Sequence, residues 1–341
     1  MSAGENRPET EPRPGADVAP LPVEDVARLC REVLAEVGTV VVGMSEALRT
    51  ALAAVLAGGH VLFEDVPGLG KTLAARSLAS ALGLDFRRLQ CTPDLLPADI
   101  TGSYVFDPAT SSFAFRPGPL FTGLFLADEI NRTAPKTQSA LLEAMAERQV
   151  TVEGTSFVLD RPFHVMATSN PVEYEGTYPL PEAQLDRFMV RLAVGYPGHD
   201  AESDVVRRRL ARRREETEVR TVVDPATVLA MQAGVEQVEV DPDVVDYSVE
   251  LAAATRRHPA VEVGASPRGS LALVLVARAR AVLDGRDFVV PEDVKEVAVS
   301  ALAHRLTLTP QSWASGTTAA EVVGSLLAQV ATPTSTRLAA R

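Results

Sequence analysis

A glycine-rich turn set between an apolar strand and a helix constrains this chain more than any other feature. The turn is Glu64-Asp-Val-Pro-Gly-Leu-Gly-Lys-Thr72. The apolar run His60-Val-Leu-Phe-Glu64 precedes it, and a helix predicted over 71–82 follows, closed by Gly83. Strand, turn and helix stand in the order that a phosphate-binding loop requires. Gly68 and Gly70 let the backbone curl so that its N–H groups face inward, and the helix N-terminus adds partial positive charge. Lys71 is placed to reach the β and γ phosphates, and Thr72 to offer a hydroxyl to Mg²⁺. Pro67, Gly68, Leu69, Gly70, Lys71, Thr72 and Leu73 therefore form the candidate cradle for ATP. The usual G-x-x-x-x-G-K-[ST] pattern has glycine where this chain has Asp65. That puts an acid at the loop entrance, expected as a modest electrostatic cost.

Two further strand ends carry matching chemistry. Leu124-Phe-Leu-Ala-Asp-Glu129 is an apolar strand that finishes in paired acids. Asp128 is placed to hold the metal with Thr72, and Glu129 to polarise the attacking water as general base. His164-Val-Met-Ala-Thr-Ser-Asn170-Pro171 ends in an amide. Asn170 is placed to bond the γ-phosphate or the water beside it. Taken alone, that Asn-Pro pair also reads as a simple turn.

Composition narrows the classes. The formal net charge of −12 argues against a general affinity for nucleic acid, which needs a basic footprint. Cys30 and Cys91 make neither a disulfide framework nor a metal site and are expected to be buried thiols. No segment is apolar enough to span a bilayer and no signal core opens the chain, so the cytoplasm is expected.

Along the chain, residues 1–22 read as a disordered tail and 23–198 as an α/β core with a parallel sheet between helices. Thr39-Val-Val-Val-Gly43 looks extended, and Ser45 is a plausible cap for the helix after it. Residues 199–220 read as one charged connector helix with Arg207-Arg208-Arg209 and Arg212-Arg213-Arg214. Residues 221–331 look all-helical and separate, with Pro225, Pro242, Pro267 and Pro291 as first helical residues, and 332–341 look frayed. Two segments, 100–120 and 149–159, alternate around turns and predict hairpins.

The run of motifs resembles the MoxR family of AAA+ ATPases, in the helix-2-insert group. The resemblance covers about residues 23–308. It rests on Val-Val-Gly43, the turn to Thr72, Gln90-Cys-Thr-Pro-Asp-Leu-Leu-Pro-Ala-Asp-Ile-Thr-Gly102, Ala127-Asp-Glu-Ile-Asn-Arg-Thr-Ala-Pro135, Thr168-Ser-Asn-Pro171, Leu185-Asp-Arg-Phe188 and Ala265-Ser-Pro-Arg268. It implies that Asn170 is sensor 1 and Arg187 an arginine finger entering the neighbouring subunit. Arg268 would be sensor 2, and Val41, Val42 and Gly43 the adenine pocket. Arg191 and Arg132 are lesser candidates for contacts between subunits, and a structural salt bridge of Arg187 with Asp186 or another acid is the plain alternative. The resemblance also implies an all-helical lid, a helix-2 insert and a pre-sensor hairpin. It further implies a hexameric ring and chaperone-like or metal-inserting work on a client, often one with a von Willebrand factor A domain. Two rivals stay open. A nucleic-acid motor of the MCM kind would want a basic hairpin tip, whereas Val152-Glu-Gly-Thr-Ser156 is not basic. A nucleotide-gated scaffold would not need Glu129.

Overall fold

The computed structural model describes residues 18–170, 177–213 and 217–334. Most of residues 1–22, Pro171, Arg214 and the end of the chain from 335 lie outside the described residues. Two helices come first, α1 (Val23–Gly38) and α2 (Ser45–Leu56). Then follow β1 (Val61–Glu64), α3 (Lys71–Ala81), β2 (Phe86–Gln90), α4 (Pro97–Thr101), β3 (Gly102–Asp107), β4 (Ser112–Pro117), β5 (Leu124–Asp128) and α5 (Pro135–Glu147). Next are β6 (Gln149–Val152), β7 (Thr155–Val158), β8 (His164–Ser169), α6 (Glu182–Leu185), β9 (Val190–Leu192) and α7 (His199–Arg212). The remainder holds α8 (Pro225–Val235), α9 (Pro242–Thr255), β10 (Val261–Val263), α10 (Pro267–Leu283), α11 (Pro291–Leu302), β11 (Thr307–Leu308), α12 (Pro310–Ala314) and α13 (Ala319–Gln329).

The central sheet has the order β2-β5-β8-β1-β9, and every neighbouring pair is parallel. β5 is buried along its whole length and β8 along all but its last residue, as strands covered on both faces must be. Strand β9 was not foreseen, because three residues are too few to carry a periodic signal. The parallel geometry puts all strand ends that precede loops on one edge and all strand starts on the other.

Both hairpins form beside the sheet. β3 pairs with β4, and β6 pairs with β7 across Glu153-Gly154, both in the left-handed region at φ 50° and 82°. Two successive positive φ values match the twist of a tight hairpin turn. Phe115 of β4 stacks on Phe157 of β7 at 3.8 Å, so the two hairpins share an aromatic contact.

Several local expectations differ from what is found. Residues 39–43 are not a strand: Val41 N–H still bonds the Val37 carbonyl at 2.9 Å, so the chain leaves α1 through a turn. Met44 is the cap residue of α2 and Ser45 is already helical. The charged helix stops at Arg212, and Arg220 lies on Glu36 with Nη2–Oε2 at 2.7 Å. Beyond residue 221 strands persist, because β10 and β11 pair antiparallel. Order also starts before Val23: Leu21 N–H bonds the Ala230 carbonyl at 3.1 Å.

The helical lobe shares an apolar core with the α/β part. One apolar core runs from Val26, Ala51 and Leu78 through Leu273, Val276 and Ala277 to Val297. Helix α10 packs on α2, and both helices carry buried alanines, at 51, 53 and 54 on α2 and at 272, 277 and 279 on α10. All four prolines named above are first helical residues. Cys30 and Cys91 are buried and free, and burial pushes their thiols up to about 12 and about 11. No helix among the described residues is long and apolar enough to cross a membrane.

Candidate functional site

The loop after β1 curls as its glycines allow. Gly68 and Gly70 have φ of 83° and 81°, where a side chain would be strained, and Gly70 caps α3 in the left-handed conformation. Open space surrounds both positions, so backbone shape, not crowding, selects glycine there. Lys71 is buried and folds back on its own loop, its Nζ donating to the carbonyls of Asp65 at 2.6 Å and Val66 at 3.2 Å. Burial pulls its pKa below the ordinary lysine value, and the charges of Asp65, Asp128 and Glu129 pull the other way.

Neighbouring strands bring the other groups to the same edge. Asp128 ends β5 and accepts from three side chains. Thr72 Oγ1 reaches Oδ2 at 3.2 Å, Thr168 Oγ1 reaches Oδ1 at 2.6 Å, and the Arg88 guanidinium reaches Oδ2 at 2.7 and 2.9 Å. Glu129 has φ 59° and ψ 51°, a left-handed conformation rare outside glycine and costing on the order of 1 kcal/mol. Its N–H donates to Thr168 Oγ1 at 2.8 Å. Gln90 and Arg132 donate to Glu129 Oε2 at 2.7 and 3.1 Å. Asn170 is buried at the end of β8, and its carbonyl accepts from Asn131 at 3.2 Å.

Arg88, Gln90 and Thr168 escaped the sequence reading. The alternation of β2 contained a signal: residues two apart share a face, so Arg88 and Gln90 both point at the acids of β5.

Asp65 is not aimed at the phosphate cradle. Its Oδ2 accepts the backbone N–H of Val194 at 2.7 Å and of Gly195 at 2.6 Å, and its Oδ1 accepts that of Val66. The acid ties the loop entrance to the segment after β9. The adenine candidates lie close to that segment. A Cβ on Gly43 would meet Pro197 at 3.2 Å and Ala201 at 3.4 Å, and Val41 is buried while Val42 is half-buried.

Arg187, expected as the finger between subunits, and Arg268, expected as sensor 2, lie elsewhere. Arg187 precedes β9, and Met189 N–H bonds the carbonyl of His60 at the start of β1. Arg187 therefore sits at the opposite end of β1 from the phosphate loop, a strand length of roughly 13 Å away. Arg268 is the second residue of α10, whose cap Ser266 accepts its N–H at 3.1 Å, and it lines the same cavity as Arg187. The salt-bridge alternative for Arg187 is not found among the described residues: Asp186 is engaged by Arg305 at 2.8 Å and Ser266 at 2.9 Å, and Arg187 donates to the Ala183 carbonyl instead of to an acid. The lesser candidates are occupied within the subunit: Arg191 pairs with Glu64 at 2.6 Å, and Arg132 with Glu129.

Residues 60–190 match the family described as "ATPase family associated with various cellular activities (AAA)", and residues 253–326 match "AAA lid domain". Uncharacterized protein YeaC of Bacillus subtilis is 47% identical over 91% of this chain and 97% of its own. Chaperone MoxR1 of Mycobacterium tuberculosis is 40% identical over 87% of this chain and 81% of its own. This chain belongs to the MoxR family of AAA+ ATPases. The crystal structure of a presumed ATPase from Cytophaga hutchinsonii superposes with a TM-score of 0.85 at 40% identity, covering 92% of this chain and 97% of that one. The chain is thus an ATPase with an α/β core and a helical lid.

The residues present suit the nucleotide of that family and its metal. The cradle is open above both glycines, and Thr72 and Asp128 offer hard oxygens, the donor type Mg²⁺ prefers. Arg88 competes with a cation for Asp128 Oδ2.

Proposed function

We propose that this chain is a cytoplasmic ATPase that works as a ring, a hexamer by family resemblance, and remodels a client protein. The observation that carries the reading is the split of the machinery between opposite edges of one sheet. Lys71, Thr72, Asp128, Glu129 and Asn170 gather at one edge and Arg187 and Arg268 at the other. A single subunit holds half a site twice over, and a ring joins the halves.

In this reading the cradle from Pro67 to Leu73 binds the triphosphate, with Val41, Val42 and Gly43 at the base. Thr72 and Asp128 would hold Mg²⁺, which offsets charge on the phosphate oxygens when bound. Glu129 takes a proton from the attacking water, and its left-handed backbone and the bonds from Gln90 and Arg132 fix the carboxylate for that role. Asn170 orients the water. Arg187 and Arg268 enter the neighbour's site and neutralise charge developing on the γ-phosphoryl group. The core of 23–198 and the lid of 221–331 then shift by small sliding steps along the alanine-faced α2–α10 joint.

A protein client fits the exposed hairpin tip, where Phe106 and Phe113 are 50% and 69% exposed and meet edge-on at 5.5 Å. Apolar aromatics favour a polypeptide over a phosphodiester backbone. The printed name of the chaperone relative supports the same class of work. Whether the client carries a von Willebrand factor A domain or receives a metal is decided by capture with a Glu129→Gln trap. Sedimentation with and without ATP and Mg²⁺ tests the ring. Nucleotide-dependent growth to a closed oligomer supports it, and a monomer at high concentration with ATP counts against it.

A further inference from the structure

A cavity of about 830 Å³ opens at the arginine edge. Beyond Arg187 and Arg268 it is lined by Arg148, Arg161 and Arg305, with Glu147 and Asp186 as its acids. Arg305 is spoken for by Asp186. Among the described residues, Arg148, Arg161, Arg187 and Arg268 make no ion pair. Four guanidinium groups without an ion pair, in one concavity where Glu147 is the acid left over once Asp186 has paired with Arg305, stand out in a chain whose net charge is −12.

Each of the four is placed by a different element. Arg148 caps α5 in the left-handed conformation at φ 52°, and its guanidinium lies against the Gly58 turn that leads into β1. Arg161 lies just before β8. Arg187 has its Nε buried with no hydrogen-bond partner and one Nη donating to the Ala183 carbonyl at 3.0 Å. Arg268 extends from the first turn of α10. Burial and the charge of Arg161 both hold Arg148 below the ordinary arginine pKa, and Arg268 acts in the same direction on Arg305. Arg148 therefore carries desolvation and repulsion from Arg161 that the charge of an arriving polyanion would offset.

We propose that Arg148 and Arg161 join Arg187 and Arg268 in a four-guanidinium receptor for the triphosphate of the neighbouring subunit's ATP. This rests on the ring reading above and adds two residues to it. The ligand class follows from the geometry. Planar, forked donors converging from four elements match the several oxygens of a polyphosphate better than a single carboxylate. The cavity lies on the subunit face opposite its own phosphate loop, so the anion comes from another copy.

The test uses the full-length chain assembled with ATP and Mg²⁺. Arg148→Gln and Arg161→Gln are compared with Arg187→Ala for kcat, KM for ATP and Tm. Arg148→Gln should lower kcat/KM by about ten- to a hundredfold, the worth of a charge-assisted contact to phosphate. Its Tm should stay level or rise, since an unpaired, repelled charge is removed. A structural arginine would lower Tm instead. Arg148→Lys, which keeps the charge but not the fork, should recover part of the activity. Rings mixed with Glu129→Gln subunits should regain turnover, because some interfaces then join an intact Glu129 to an intact Arg148. If Arg148→Gln and Arg161→Gln both keep parental kcat and KM while Arg187→Ala is inactive, this inference falls and the ring reading stands. If Arg187→Ala keeps parental activity, both fall. If Arg148→Gln loses stability and Arg148→Lys restores stability and activity together, Arg148 is structural and the receptor is overturned.

Discussion

At the loop-side edge of the sheet, the charged groups are already engaged. Lys71 lies on two carbonyls, Asp128 accepts from Thr72, Thr168 and Arg88, and Glu129 accepts from Gln90 and Arg132. At the opposite edge, Arg148, Arg161, Arg187 and Arg268 share a cavity and, among the described residues, make no ion pair, with Glu147 the acid there that Arg305 does not hold. One edge is poised and internally balanced, while the other holds positive charge in excess of its acids. A balanced edge can be stable alone. An unbalanced one makes physical sense when something negative is brought to it, and in a ring the neighbour's nucleotide supplies that.

The largest expected effect tests the unbalanced edge. Arg187→Ala should bind ATP nearly as the parent does and lose on the order of 10³–10⁵ in turnover, the worth of arginine fingers in phosphoryl transfer. Steady-state ATPase assays beside nucleotide-binding titrations separate the two quantities. Parental turnover would mean that the two edges do not meet.

Glu129→Gln tests the balanced edge. It should keep ATP affinity within about a few-fold and lose about 10²–10⁴ in turnover, because only activation of the water is removed. Lys71→Ala should instead lose binding. Equal hydrolysis by Glu129→Gln and the parent would remove Glu129 as the base.

Behind the arginine edge sit two buried histidines. His60 Nδ1 accepts from Val165 N–H at 2.9 Å, and His164 lies between the Gly59 carbonyl and Gln232. Burial holds them down to about 3 and about 4, and Arg148 adds to the depression of both. The folded protein keeps both neutral, while the unfolded chain takes up protons below about 6.5. Their contribution is therefore complete above that pH and is lost as pH falls toward 4 and then 3. Each group should subtract about 1.4 kcal/mol per pH unit in that window. Calorimetry from pH 7 to 4.5 should find a falling Tm, and Arg148→Gln should soften the fall. A flat profile would mean the rings are not neutral in the fold.

Much of the loop-side edge was legible in the sequence because its residues are contiguous with strand ends. A strand followed by Gly-Leu-Gly-Lys-Thr72, or ending in Asp128-Glu129, carries its geometry in the local order of residues. The arginine edge was legible only in part. Arg187 and Arg268 stood in recognisable runs, but Arg148 and Arg161 come from elements with no shared signal, and only the sheet brings them together. The same holds for the joint between the lobes. Composition marked residues 221–331 as helical, yet the packing of α2 on α10 joins helices more than 200 residues apart. Asp65 failed for a different reason: its identity was plain, but the direction of its carboxylate was set by β9, which was too short to foresee.

Asp65 gives the smallest effect and the clearest sign. Read from the sequence, an acid at the loop entrance repels phosphate, so Asp65→Asn should tighten ATP. Read from the structure, its carboxylate accepts two N–H groups from Val194 and Gly195 and one from Val66, which spends its negative charge on the backbone. Asn offers one carbonyl oxygen and an NH₂ group that has no acceptor in that position, so at least one of those bonds is lost. Hydrogen bonds to a charged group contribute about 1.5–3 kcal/mol each. The bracket between the phosphate loop and the segment after β9 should loosen. Because Gly43 packs against Pro197 and Ala201 just beyond it, the adenine side should loosen with it. Asp65→Asn should thus weaken ATP by about a few-fold and lower Tm by a few degrees. Isothermal titration with a non-hydrolysable analogue and a thermal melt give both numbers. Tighter binding at unchanged Tm would return Asp65 to the repulsive role and leave the loop-side edge less balanced than its hydrogen bonds suggest.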